Sequence, residues 1–365
     1  MLGLYIHIPF CKSKCPYCDF YSMSSDEETM DRYTDALIRE ISAFPKSEKV
    51  DSVYFGGGTP SVMGGVRISK ILSSVRAKFE LIDPEITVEC NPSSSDSALF
   101  ETLSAAGVNR LSFGMQSAVD RERSILGRIS DRNDVKRCVE EAKNSGIKNI
   151  SVDLMLGVPF QNKESLLASI MFITQLDIKH VSAYMLKIEE GTFFYKMQNK
   201  LPFPDEDATC DMYLFLCDYM EKLGFRQYEI SNFAKPGYRS RHNLKYWHDE
   251  EYVSFGPAAH SFYNGERYFY ERDLEKYIAV PEKISDGKGG DREEYAMLAL
   301  RLCEGLRFGA YRKKYSREIP QKFIEKAKQL EKYGLLKVTE NAVSLTKEGF
   351  LISNTVIGEL VETLD

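Results

Sequence analysis

Three thiols stand in one short run, Cys11-Lys12-Ser13-Lys14-Cys15-Pro16-Tyr17-Cys18. A C-x3-C-x2-C spacing lets a single loop wrap one inorganic cluster, because thiolates are the natural ligands of iron–sulfur sites. Three thiolates on four irons leave one iron open, and an open position permits chemistry where a fourth cysteine would permit only electron storage. The nearest further cysteine, Cys90, is far along the chain. Structural zinc would ask for two separated pairs. A second chemical signal is Gly56-Gly57-Gly58-Thr59-Pro60, where missing side chains let backbone approach a ligand closely. No Gly-Lys-Ser/Thr follows it, and Ser61 breaks the dinucleotide-binding pattern.

The elements that must position these residues are short β-rich runs alternating with helical patterns. Strands are expected at Leu4–Ile8, Ser52–Phe55, Ile86–Cys90, Arg110–Met115, Asn149–Leu156 and His180–Leu186. Amphipathic helices are expected between them. Such alternation implies parallel βαβ units, and periodicity alone does not separate a partial barrel from a flat doubly wound sheet. Polar placement does. Cys11, Gly56–Gly58, Glu89, Gln116 and Asp153 each fall at or just after the C-terminal end of a different strand. In a (β/α) barrel those ends meet at one mouth. The expected fold is therefore α/β, a partial (β/α)6 TIM-type barrel over residues 1–230. A connecting segment over 231–290 and a smaller, mainly helical, winged-helix-like domain over 291–365 follow.

Composition narrows the function class. The 365 residues carry a net charge of −6, which tilts against a nucleic-acid partner, whose footprint would be basic. No apolar run of transmembrane length and no signal-peptide pattern is present. Eight cysteines with three in a tight cluster suit metal binding in a reducing, cytoplasmic setting better than a disulfide framework.

The cysteine run, with an aromatic before its third member, resembles the radical S-adenosylmethionine (SAM) superfamily motif. That resemblance implies a 4Fe–4S cluster on Cys11, Cys15 and Cys18, with SAM chelated at the open iron and cleaved reductively. It implies SAM contacts from Gly57, Gly58, Thr59, Glu89, Gln116, Arg128 and Asp153. It also sets Tyr5 and Tyr17 near the cluster and adenine. Tyr5-Ile6-His7-Ile8-Pro9-Phe10-Cys11 and Asp153-Leu154-Met155-Leu156-Gly157-Val158-Pro159 are similar to the oxygen-independent coproporphyrinogen III oxidase superfamily. Two features resemble its heme-chaperone branch: Cys18-Asp19-Phe20, and His242-Asn243-Leu244-Lys245-Tyr246-Trp247. The resemblance implies heme and apo-hemoprotein acceptors as partners, an electron donor, and no assigned catalytic residue. The alternative is radical decarboxylation of coproporphyrinogen III. His242, with Trp247 and the stretch Phe255–His260, is the expected heme surface, and His7 and His260 are further candidate iron ligands.

Overall fold

In the computed structural model, which describes residues 1–364, six parallel strands form the heart of the molecule. They are β1 (Leu2–Ile8), β2 (Lys49–Gly57), β3 (Glu80–Cys90), β4 (Arg110–Gln116), β5 (Asn149–Leu156) and β6 (His180–Met185). Each pairs with the next in chain order, all parallel. The outer layer comprises α1 (Glu27–Ala43), α2 (Gly64–Lys78), α3 (Ser97–Ala105), α4 (Asp120–Ile125), α5 (Arg132–Asn144) and α6 (Lys163–Thr174). Asp26, Asp96, Asp131 and Asn162 start four of these helices by accepting backbone N–H bonds that the first turn would otherwise leave unmade.

Strand alternation sorts the two faces. Leu4, Ile6 and Ile8 are fully buried in the apolar core shared with the helices. The opposite face is polar. Ser52, Glu85, Thr87, Arg110, Ser112, Ser151, His180 and Ser182 are all buried. They recur two residues apart on β3, β4 and β6, with Ser52 on β2 and Ser151 on β5. An ordinary eight-stranded barrel fills its interior with branched apolar side chains, so this polar lumen is a departure that needs a functional reason.

The sheet is open rather than a closed ring, with twelve strands. After α7 (Phe193–Met197) and α8 (Glu206–Lys222), β7 (Arg226–Gln227) and β8 (Asn232–Ala234) continue it antiparallel beyond β6. On the other edge β9 (Tyr252–Phe255) pairs parallel with β1. It is followed by antiparallel β10 (His260–Tyr263), β11 (Glu266–Phe269) and β12 (Ile284–Lys288). The stretch 231–290 thus supplies β8 to β12 and the short helix α9 (Arg241–Trp247) to the main body. Periodicity hid this because these strands are only three to five residues long.

Residues beyond 290 form helices over 292–299, 308–315, 321–331, 347–351 and 353–361. A small antiparallel sheet, β13 (Leu306–Arg307), β14 (Leu336–Val338) and β15 (Ala342–Leu345), packs among them with β15 central. This is the winged-helix-like module. One continuous apolar core runs from Leu2 to Leu364, so the module is packed onto the sheet and not tethered to it.

Candidate functional site

A cavity of about 520 Å³ opens at the C-terminal ends of the six strands. Cys11, Cys15, Cys18, Tyr17, Gly57, Gly58, Thr59, Glu89, Gln116, Arg128 and Asp153 all line it. These come from every strand exit from β1 to β5. The convergence that the barrel reading requires is therefore present.

The cysteine loop hangs between β1 and α1 and is pinned by backbone bonds. Cys11 N–H donates to Met23 O at 2.9 Å, and Cys18 N–H donates to Cys15 O at 3.1 Å. The glycine run is its floor. Gly58 N–H donates to Ile8 O at 2.8 Å and Thr59 N–H to Phe10 O at 2.7 Å. A Cβ on Gly58 would lie 2.7 Å from Phe10 O and 2.9 Å from Ile8 O, both backbone atoms that cannot yield. The glycine is needed for chain-on-chain approach that sets the thiol loop, a reason beside the ligand approach expected from sequence. The Thr59 hydroxyl lies 3.3 Å from Cys11 Sγ.

All three loop thiols are free and neither fully buried nor exposed. Burial pushes the Cys18 thiol up, and the neighbouring Cys15 and Cys11 add to it, which places the three sulfurs within each other's field. Cys90 also faces the cavity, but burial drives its thiol far above the usual range, and it remains an ordinary buried cysteine. Two buried polar atoms on the wall, Gln116 Oε1 and Arg128 Nε, have no hydrogen-bond partner among the described residues. Buried polar groups are nearly always paired. Three thiols with an open side, next to orphaned polar atoms, are a donor set that fits a cluster and a polar cofactor.

The wall residues are aimed by strand geometry. The register between β4 and β5 slips after Gly114, and Gln116 takes φ +67° at the resulting bulge. Asp153 accepts a bond from Ser112 Oγ at 3.1 Å, and burial lifts it to about 6. Glu89 accepts from Tyr54 OH at 2.7 Å, and burial lifts it to about 7. Arg128 donates to Tyr17 OH at 2.8 Å. Ser112 and Tyr184 line the cavity as well. The alternation Glu85, Thr87, Glu89 and Ser182, Tyr184 could have exposed the polar lumen from sequence.

Tyr5 and the heme-surface residues lie elsewhere. Tyr5 stays within the strand layer, its ring 6.1 Å from that of Tyr54 and its hydroxyl 3.3 Å from His7 Nδ1. His242 is 1% exposed, with Nδ1 at 3.0 Å from Ser52 Oγ and Nε2 at 2.8 Å from Tyr246 OH. Both nitrogens are engaged, so it presents no imidazole to heme. His7 is buried with Nε2 at 3.1 Å from Tyr21 O. Phe255 is fully buried, and Gly256 packs against Tyr33 and His7. The flat surface expected over Phe255–His260 is thus consumed by sheet packing. Only His260 is exposed there, stacked on Phe269.

The first 173 residues match known proteins on the same ground. Residues 5–173 fit the radical SAM superfamily model and residues 291–352 the HemN C-terminal domain model. Along its whole length the chain is 35% identical to the heme chaperone HemW of Bacillus subtilis, covering all of both proteins. The chain belongs to the HemW family. The HemW of Escherichia coli is 38% identical over 71% of this chain and 69% of its own. A bovine mitochondrial relative, radical S-adenosyl methionine domain-containing protein 1, is 32% identical over 99% of this chain and 88% of its own. Among solved structures, the coproporphyrinogen III oxidase HemN of Escherichia coli superposes with a TM-score of 0.84. That match covers 98% of this chain and 89% of that one at 22% identity, a likeness of fold.

Proposed function

We propose that this protein is a cytoplasmic radical-SAM heme chaperone, which binds heme and passes it to apo-hemoproteins. The observation that carries the reading is 35% identity to a heme chaperone along the whole chain, joined to a cavity that gathers three free thiols. Cys11, Cys15 and Cys18 would hold the 4Fe–4S cluster. Gly57, Gly58, Thr59, Glu89, Gln116, Arg128 and Asp153 would hold SAM. When bound, the cluster supplies an electron and an open coordination position beside the cofactor. The chain's own part is to place a carboxylate pair, Glu89 and Asp153, and the Arg128 guanidinium around a cationic, carboxylate-bearing ligand. Tyr17 steadies Arg128 from the thiol loop itself.

The cavity rim supports an apolar macrocycle as cargo. Phe20 is 67% exposed and Ile129 79% exposed, and both line the opening. Large apolar side chains displayed at a cavity mouth mark a binding surface. Among the described residues no helix is long and apolar enough to cross a membrane. An electron donor completes the proposal. The oxidase reading retains the shared fold, but Cys18 is followed by Asp19-Phe20, the run that resembles the heme-chaperone branch, where the oxidase branch carries a further cysteine two positions after the third.

The deciding experiment incubates anaerobically reconstituted protein with SAM, reductant and coproporphyrinogen III, alongside a hemin titration. We expect a Soret band on hemin addition, transfer of that heme to an apo-hemoprotein, and no carbon dioxide release. Formation of protoporphyrinogen IX would replace the chaperone reading with the oxidase one.

A further inference from the structure

The His242–Trp247 run is a sequence motif that the cavity does not use, and its place in the fold gives it a different task. Helix α9 lies against the N-terminal ends of the strands, opposite the cavity. Its first amides, on Arg241 and His242, donate to Glu85 Oε1 at 2.9 and 3.3 Å. Lys245 is buried and pairs with Asp51 at 2.8 Å. The helix thus plugs the floor of the lumen through groups of β2 and β3.

From that plug a column of rings rises toward the mouth. The Tyr246 hydroxyl meets His242 Nε2, and the His242 imidazole stacks on Tyr54 with centroids 5.2 Å apart and planes 26° apart. Tyr54 then donates to Glu89, which lines the cavity. The imidazole has no freedom of its own, since Ser52 holds Nδ1. Burial, helped by the neighbouring Lys245 and Arg110 cations, keeps it neutral. A ring clamped at both nitrogens is a rigid shelf, and the Tyr54 phenol is held against it and against the Tyr5 ring, 6.1 Å away.

We infer that His242 is a positioning residue for the cofactor cavity: stacked on Tyr54, it fixes the phenol that holds Glu89, so helix α9 sets how tightly SAM binds. This rests on the reading of the cavity as the SAM site. It makes the His242–Trp247 motif a support of the cofactor and not a heme ligand.

The test is isothermal calorimetry of SAM on anaerobically reconstituted protein, arranged as a double-mutant cycle. Tyr54→Phe, which removes the bond to Glu89, should weaken SAM about tenfold, or about 1.4 kcal/mol. His242→Ala should weaken it comparably. The double variant should be no weaker than Tyr54→Phe alone, because His242 acts through that phenol. A general loss of structure would instead make the two losses add, and additivity overturns the inference. Should His242→Ala fail to fold, His242→Phe keeps a ring against Tyr54. It should bind SAM within about twofold of wild type while melting lower, since the bonds to Ser52 and Tyr246 are gone. Weak SAM binding by a folded His242→Phe, or loss of heme binding with SAM affinity intact, overturns the role. Wild-type protein that binds no SAM overturns the cofactor reading itself, a distinguishable failure.

Discussion

Glu89 and Asp153 face the cavity as carboxylates whose burial lifts them to about 7 and about 6. In the unfolded chain such groups titrate near 4. Between the two values the folded protein holds protons that the unfolded chain has released, so their contribution is full below about 4 and is lost as pH rises through 6 and 7. His7 and His242 act oppositely, because burial lowers them to about 4 and about 3. The comparison that isolates the carboxylates is therefore between variant and wild type. The double variant Glu89→Gln/Asp153→Asn should gain melting temperature over wild type as pH rises from about 5 to about 8, measured before cluster reconstitution. A constant difference across that range would remove the electrostatic account. Replacing any one of Cys11, Cys15 or Cys18 with Ala should leave the melt nearly unchanged and abolish the broad visible absorption after reconstitution. Retention of about four irons per chain in one of these variants would refute the three-thiol assignment.

Elements carry the next layer of precision. The thiol loop has no regular structure, and what sets it is the glycine run on β2 meeting the exit of β1. Gly58→Ala deletes no ligand, yet its methyl would press on two backbone carbonyl oxygens. We expect iron content after reconstitution to fall several-fold, with a melting temperature lowered by a loss of about 1–3 kcal/mol from overpacking. A variant that takes up iron like wild type would show that the loop finds its own shape. Sequence periodicity recovered all six parallel strands and the helices α1, α2, α3, α5 and α6, because each alternation or stripe is long enough to read, but it did not find the first six residues of β3 or the short α4. It missed β7 to β12 and could not show that α9 turns His242 inward. A seven-residue helix fixes neither its own position nor which of its faces is covered.

At the scale of the molecule, the winged module is locked to the sheet by a buried charge. Asp249 sits between Lys314 of the module at 2.6 Å and Arg267 of β11 at 3.5 Å, its side chain fully buried. The backbone joins in, with Ile230 N–H donating to Arg301 O at 3.0 Å and Cys303 N–H to Tyr228 O at 3.0 Å. Removing one partner of a buried ion pair costs about 3–5 kcal/mol. Lys314 and Arg267 are partly exposed, so Asp249→Ala should cost about 2–3 kcal/mol in denaturant unfolding. A single cooperative transition should persist, because the apolar core is continuous across the boundary. Two separated transitions in wild type would contradict that continuity.

What the sequence by itself determined is which candidate ligands are near neighbours in the chain and the strand order that follows βα alternation. Cys11, Cys15 and Cys18 share one loop, and Glu89, Gln116 and Asp153 lie in the C-terminal halves of β3, β4 and β5. Parallel topology then forces those ends together, whatever the details of packing. Tertiary structure alone decided the rest. His242 looks from sequence like an available imidazole, and only its packing against Ser52, Tyr54 and Tyr246 shows both nitrogens spent. Phe255 and Gly256 read as a surface for a flat ligand until β9 pairs with β1 and buries them. Those outcomes depend above all on contacts between residues far apart in the chain, such as Ser52 with His242, 190 positions apart. Local pattern carries no information about which surface such contacts will consume.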